Sequence, residues 1–145
     1  MKKNQEKYLN TLVASYGVFY IKLHQHHWFV KGLKFFEAHE QFEEYYDEIT
    51  GNLDEVAERI LQLGGQPVST LKDFLELSLI EEAPFKDNED STAMYKSVVA
   101  DFETLNKNYQ EGYDLFEGDE VTVDLLVGLQ AAAQKHLWML NAYLA

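Results

Sequence analysis

The segment from His24 to Arg59, HQHHWFVKGLKFFEAHEQFEEYYDEITGNLDEVAER, holds four of the five histidines of the chain and a dense series of carboxylates. Two pairs within it are spaced by four residues, His39 with Glu43 and Asp54 with Glu58. On a helix that spacing stacks two side chains on one face, one turn apart. Imidazole combined with carboxylate suits a divalent first-row metal such as ferrous iron, whereas an all-oxygen set favours magnesium or calcium. The chemistry to expect is an iron site.

Both pairs fall on one helix, with Glu43 and Asp54 eleven positions apart. That separates the two carboxylates by roughly 16 Å along the axis, while a metal–ligand bond spans only about 2–2.5 Å. One ion inside one subunit therefore cannot use both pairs. The four residues share a broad face beside the apolar stripe, so an antiparallel copy of the helix, related by a two-fold axis, would set one pair opposite the other. The spacing points to a site between subunits, occurring twice per symmetric dimer. His27, at the end of the preceding helix, could complete one half. The plainer readings are a satisfied core histidine at position 27 and a solvated acidic face for the two pairs. His24 and His26 have no matching acidic partner and fit hydrogen-bonding or surface roles, and His136 fits the core or an interface.

The elements that must position these residues follow from periodicity. Leu9, Leu12, Val13, Tyr16, Tyr20, Leu23 and His27 recur at three- and four-residue steps, predicting an amphipathic helix from about Tyr8 to Lys31, ended by Gly32. Val18, Ile21, Trp28 and Phe29 lie on its other faces, so it must be buried on two sides. A second helix is predicted from about Phe36 to Leu63, with Phe42, Tyr46, Ile49, Leu53, Val56 and Ile60 as its stripe and Gly64-Gly65 as its stop. A long connection from Gln66 to about Glu89 contains a short helix, Thr70 to Leu79, capped by Ser69 or Thr70. Two further helices follow, from about Thr92 to Tyr113 (Asp90 or Ser91 capping) and from about Val121 to Tyr143, the latter with Leu125, Leu129, Ala132, His136, Met139 and Leu140 inward. Four long helices with one long middle crossover predict an all-α, ferritin-like four-helix bundle, with a short extra helix in the crossover between helices 2 and 3. It forms a single domain over 1–145, with residues 1–7 as a short N-terminal arm.

The composition narrows the function. Without cysteine, thiolate metal sites, disulfides and cysteine nucleophiles are excluded. No apolar run reaches the length of a membrane span and MKKNQEKYLN lacks a signal-peptide core, so a cytoplasmic location is expected. Twelve Lys and Arg against 25 Asp and Glu give a net charge of −13. Such a surface repels phosphate backbones, and it fits cation handling and a merely well-solvated surface equally well. Lys2, Lys3 and Lys7 make only a small basic patch. Direct DNA binding is not expected.

Over nearly its whole length the chain resembles the Dps family of miniature ferritins, the DNA-binding proteins from starved cells. The resemblance is carried by His27-Trp28, Gly32, His39, Glu43, Asp54, Glu58 and Arg59, whose spacing matches the family pattern. It implies that His27, His39 and Glu43 of one subunit face Asp54 and Glu58 of its two-fold partner. Asp54 and Glu58 would anchor the first iron with His27, while His39 and Glu43 would help hold a weaker second. Glu43 stands where many members have Asp. Trp28 fits a packing role by residue type, whereas the family would place it beside the iron, where it could intercept stray oxidising equivalents. The family further implies a hollow homo-dodecamer that oxidises Fe(II) with hydrogen peroxide, or more slowly with O2, and stores ferric mineral. GDEVTVD resembles its acidic pore segment, making Asp119, Glu120 and Asp124 the candidates for guiding iron inward, although acids at a helix start are also favoured by its dipole. The rival di-iron centre within one subunit needs Glu-x-x-His on two helices, and no histidine here has a Glu three residues before it. The alternative from another class is a non-enzymatic helical shell or DNA-compacting protein whose metal residues only bridge subunits.

Overall fold

The computed structural model describes residues 1–145. Five helices make up the chain: α1 (Lys3–Phe29), α2 (Phe35–Gln62), the short α3 (Leu71–Leu77), α4 (Ser91–Leu115) and α5 (Glu120–Leu144). The short loop between α1 and α2 makes them an antiparallel hairpin, in which Tyr20 meets Tyr46 and His27 meets His39. A second antiparallel hairpin pairs α4 with α5, linked by Gln130 to Asn106 and Tyr113. Across the bundle, however, α2 and α4 run in the same direction, because Phe42 packs on Tyr95 and Tyr45 on Phe102. Parallel neighbours require the connection to travel the length of the bundle. The segment carrying α3 does so, and the fold is the all-α, ferritin-like bundle predicted.

Local chemistry sets the boundaries. The stop of α2 is a Schellman turn: Gly64 takes a positive φ of 81°, its N–H donates to the Leu61 carbonyl and the Gly65 N–H donates to that of Ile60. Thr70 Oγ1 accepts from the Asp73 N–H and Asp90 from the Ala93 N–H, capping α3 and α4. The start of α1 differs from the prediction. Residues from Lys3 onward are helical, so most of the expected arm forms the first turns of α1. These turns are polar and carry no apolar period, yet Gln5 secures them: its Oε1 accepts from the Lys2 N–H and its Nε2 donates to the Leu115 carbonyl. At the other end α1 stops at Phe29, two residues earlier than periodicity indicated, and Gly32 (φ 100°) lies in the loop beyond.

One contiguous core runs through the bundle, with Leu12, Tyr16, Phe19, Phe42, Ile49 and Phe102 among its fully or almost fully buried members. The crossover covers part of the second side of α1, where Val18 is buried. Ile21, Trp28 and Phe29 stay exposed, so one chain does not close that side as the sequence predicts. Asn10 bonds to Gln66 and Val68, Ser15 Oγ accepts from the Leu79 N–H, and Phe74 sits against Gly17. The predicted stripes hold in part: Phe42, Ile49, Val56 and Ile60 on α2 and Leu129 and Leu140 on α5 are buried as expected. On α2, Tyr45 is buried while Tyr46 and Leu53 are only half-buried; on α5, Leu126 and Ala133 are buried and Met139 is exposed. Apolar residues occur around most of α5, so periodicity does not select its inner face.

Candidate metal half-site

The α1–α2 hairpin brings two histidines twelve positions apart into face-to-face contact. Their ring centroids are 3.6 Å apart with planes 16° from parallel. Each ring is fixed by the other residue's backbone: His27 Nδ1–H donates to the His39 carbonyl at 2.6 Å, and His39 Nδ1–H donates to the His27 carbonyl at 2.7 Å. A carbonyl oxygen can only accept, so both protons reside on Nδ1. In the neutral ring this tautomer puts the lone pair on Nε2, the atom left for a metal. His27 Nε2 lies 3.9 Å from Glu43 Oε1. His27 is buried whereas Glu43 is exposed. His27 thus lies next to both His39 and Glu43, and the carboxylate faces solvent.

Asp54 and Glu58 are not part of that cluster. Both are exposed, further along α2, and neither makes a side-chain hydrogen bond or ion pair. Within one chain no group of three or more acidic or histidine side chains is arranged to hold a metal. Arg59, next to Glu58, turns away to α5: Nε donates to Thr122 Oγ1 at 2.9 Å and Nη2 to Asp119 Oδ1 at 3.2 Å. Asp119 is the N-cap of α5, accepting from the Thr122 N–H at 3.1 Å and the Thr122 hydroxyl at 2.6 Å. Those Thr122 bonds, with the Arg59 charge, hold its carboxyl below the usual range. Of the three predicted pore acids, Asp119 is thus committed to a cap and an ion pair, while Glu120 and Asp124 are exposed. Asp124 lines a groove of about 280 Å³ between α2 and α5 together with Glu48 and Glu55.

The remaining histidines separate by environment. His24 Nδ1–H donates to the Tyr20 carbonyl at 2.8 Å, and the ring stacks on Tyr46 at 3.8 Å and lies 5.2 Å from Trp28. His136 Nε2 pairs with Glu48 at 2.8 Å. His26 is buried with neither ring nitrogen partnered, and burial followed by the Lys22 charge lowers its pKa to about 4. The sequence reading missed two features near these residues. One is the pair of half-buried Lys22 with buried Asp101 at 2.8 Å, whose members come from different helices. The other is Tyr46, which donates to Glu43 Oε1 at 3.2 Å. Desolvation and the Glu43 charge raise the Tyr46 pKa, so the hydroxyl stays a donor.

Comparison with known proteins bears on the family and the fold. The ferritin-like domain family matches residues 6–145. The chain is 43% identical over 141 residues to the DNA protection during starvation protein of Listeria monocytogenes, covering 96% of this chain and 90% of that one. It is 44% identical over 138 residues to general stress protein 20U of Bacillus subtilis, covering 94% of each. Dps from Staphylococcus aureus superposes with a TM-score of 0.94 at 39% identity, covering 99% of this chain and 97% of that one. The chain belongs to the Dps family. Another Dps structure, from Listeria innocua soaked with zinc, superposes with a TM-score of 0.92 at 42% identity, covering 97% of this chain and 95% of its own. The family assignment covers fold and length alike, and the paired histidines sit on the hairpin of that shared fold.

Proposed function

We propose that this Dps-family chain stores and detoxifies iron, acting as a ferroxidase. Fe(II) binds between two-fold-related copies, with His27, His39 and Glu43 of one copy facing Asp54 and Glu58 of the other. The observation that carries the reading is the reciprocal histidine lock. Two backbone carbonyls hold both Nδ1 protons and leave both Nε2 lone pairs for metal. The two neutral imidazoles supply borderline ligands that prefer a first-row transition metal to magnesium or calcium, and the carboxylates balance the charge. The partner's acids are needed because one chain offers only half a ligand set.

Two ferrous ions held together deliver two electrons to one hydrogen peroxide. The O–O bond breaks, both oxygens leave as hydroxide or water after protonation, and each iron becomes ferric. Single-electron reduction, which would release hydroxyl radical, is thereby avoided. O2 serves as a slower oxidant. The ferric product accumulates as mineral inside a hollow dodecameric shell, and Glu120 and Asp124 draw Fe(II) toward it through their charge. DNA is protected by removing the reactants rather than by coating, since a chain with net charge −13 repels the phosphate backbone.

The test is anaerobic loading with Fe(II), addition of peroxide, then sizing with iron detection. Rapid oxidation with iron co-eluting with the shell is expected. Replacing His27 and His39 together by glycine should slow the reaction at least tenfold with shell size retained, and Glu120→Gln with Asp124→Asn should slow iron uptake most at low salt. Oxidation no faster than in buffer would leave the non-enzymatic shell as the better description.

A further inference from the structure

Glu43 has a companion that the metal chemistry above does not use. The Tyr46 hydroxyl donates to Glu43 Oε1 at 3.2 Å, and this is the same oxygen that lies 3.9 Å from His27 Nε2. Between two mobile side chains on a helix surface such a bond would contribute little. Here the donor is already immobilised. His24 stacks face to face on the Tyr46 ring at 3.8 Å, His27 stands edge-on to it at 5.3 Å, and Tyr20 closes a third side at 6.0 Å. His24 is in turn fixed by the Tyr20 carbonyl. Glutamate has one more rotatable bond than aspartate, and a metal site must freeze that extra freedom. The fixed phenol restrains it beforehand.

Resting on the iron-site reading above, we propose that Tyr46 is a positioning residue for the metal position served by His39 and Glu43. Its hydroxyl holds Glu43 Oε1 on the His27 side and leaves Oε2 free to take a metal. Tyr46 need not touch the metal to act in this way. It sets where the longer carboxylate waits.

Co(II), followed by its visible absorption under anaerobic conditions, is a suitable probe on the assembled protein. Wild type should take up two equivalents per shared site in distinguishable steps. Tyr46→Phe keeps the ring packing and loses only the donor; its first step should be unchanged and its second weakened about fivefold. In a Glu43→Ala background the same substitution should have no further effect, which a merely structural tyrosine would not predict. Tyr20→Phe, in the same aromatic cluster but without contact to Glu43, should titrate as wild type. An unchanged second step in Tyr46→Phe, or equal weakening of both steps, overturns the positioning role while the site itself stands. A wild-type protein that takes up no second equivalent overturns the site and the positioning role with it.

Discussion

Neighbouring histidines on α1 meet opposite environments. His27 donates Nδ1–H to the His39 carbonyl, whereas both ring nitrogens of His26 are buried without a partner. For His27 the consequence is a defined tautomer with Nε2 available. Residue type and spacing disclosed the candidate ligands, but the locking groups are backbone carbonyls that only the folded hairpin brings within reach. His26 carries a stability cost instead. Its pKa is lowered from 6.5 to about 4, chiefly by burial. Between those values the unfolded chain binds a proton that the folded chain refuses, so folded stability is full above about pH 6.5 and declines as pH falls toward 4. The loss reaches on the order of 3 kcal/mol per chain at the acid end. His26→Leu should flatten this dependence. Thermal midpoints of metal-free protein at neutral pH and near pH 5 should show a drop in wild type that the variant largely lacks; parallel drops would assign the acid sensitivity elsewhere.

The elements were largely legible because each helix carries an apolar period and a chemical stop. Gly64-Gly65 ended α2 as expected, and Asp90 capped α4. The misplacements have physical causes. Gln5 anchors helical turns that lack apolar residues, and the many apolar side chains around α5 obscure its inner face. The docking of the crossover was equally hidden, since it depends on Asn10, Ser15 and the absence of a side chain at position 17. A Cβ at Gly17 would collide with the Phe74 ring, so Gly17→Ala must push that ring off its seat and loosen the docking of α3 on α1. Overpacking of this kind costs about 1–3 kcal/mol, against a gain of about 1 kcal/mol from helix propensity. Limited proteolysis should therefore cut the 66–89 connection faster in the variant than in wild type. Equal cleavage rates would show that α3 is not held by this close approach.

At the scale of the molecule, spacing along α2 made the sequence suggest an incomplete site, and the folded chain retains that incompleteness. His27, His39 and Glu43 cluster at one end of the hairpin, while Asp54 and Glu58 stay exposed further along the same helix without partners. No helix is long and apolar enough to cross a membrane. In the proposed reading a second copy completes the ligand set; Arg59 is bound to α5, and the two acids make no side-chain hydrogen bond or ion pair within their own chain. The central claim is that each site draws ligands from two chains. It is tested most directly by complementation. One variant loses His27 and His39 to glycine; the other carries Asp54→Asn and Glu58→Gln. Each alone should oxidise Fe(II) poorly with peroxide. After joint unfolding and co-assembly, a mixed pair places both lesions in one site and leaves the other intact, so random mixing restores about a quarter of the wild-type sites. Recovery near that level is the predicted result. Mixed shells of normal size with no more activity than the separate variants would contradict a site shared between chains.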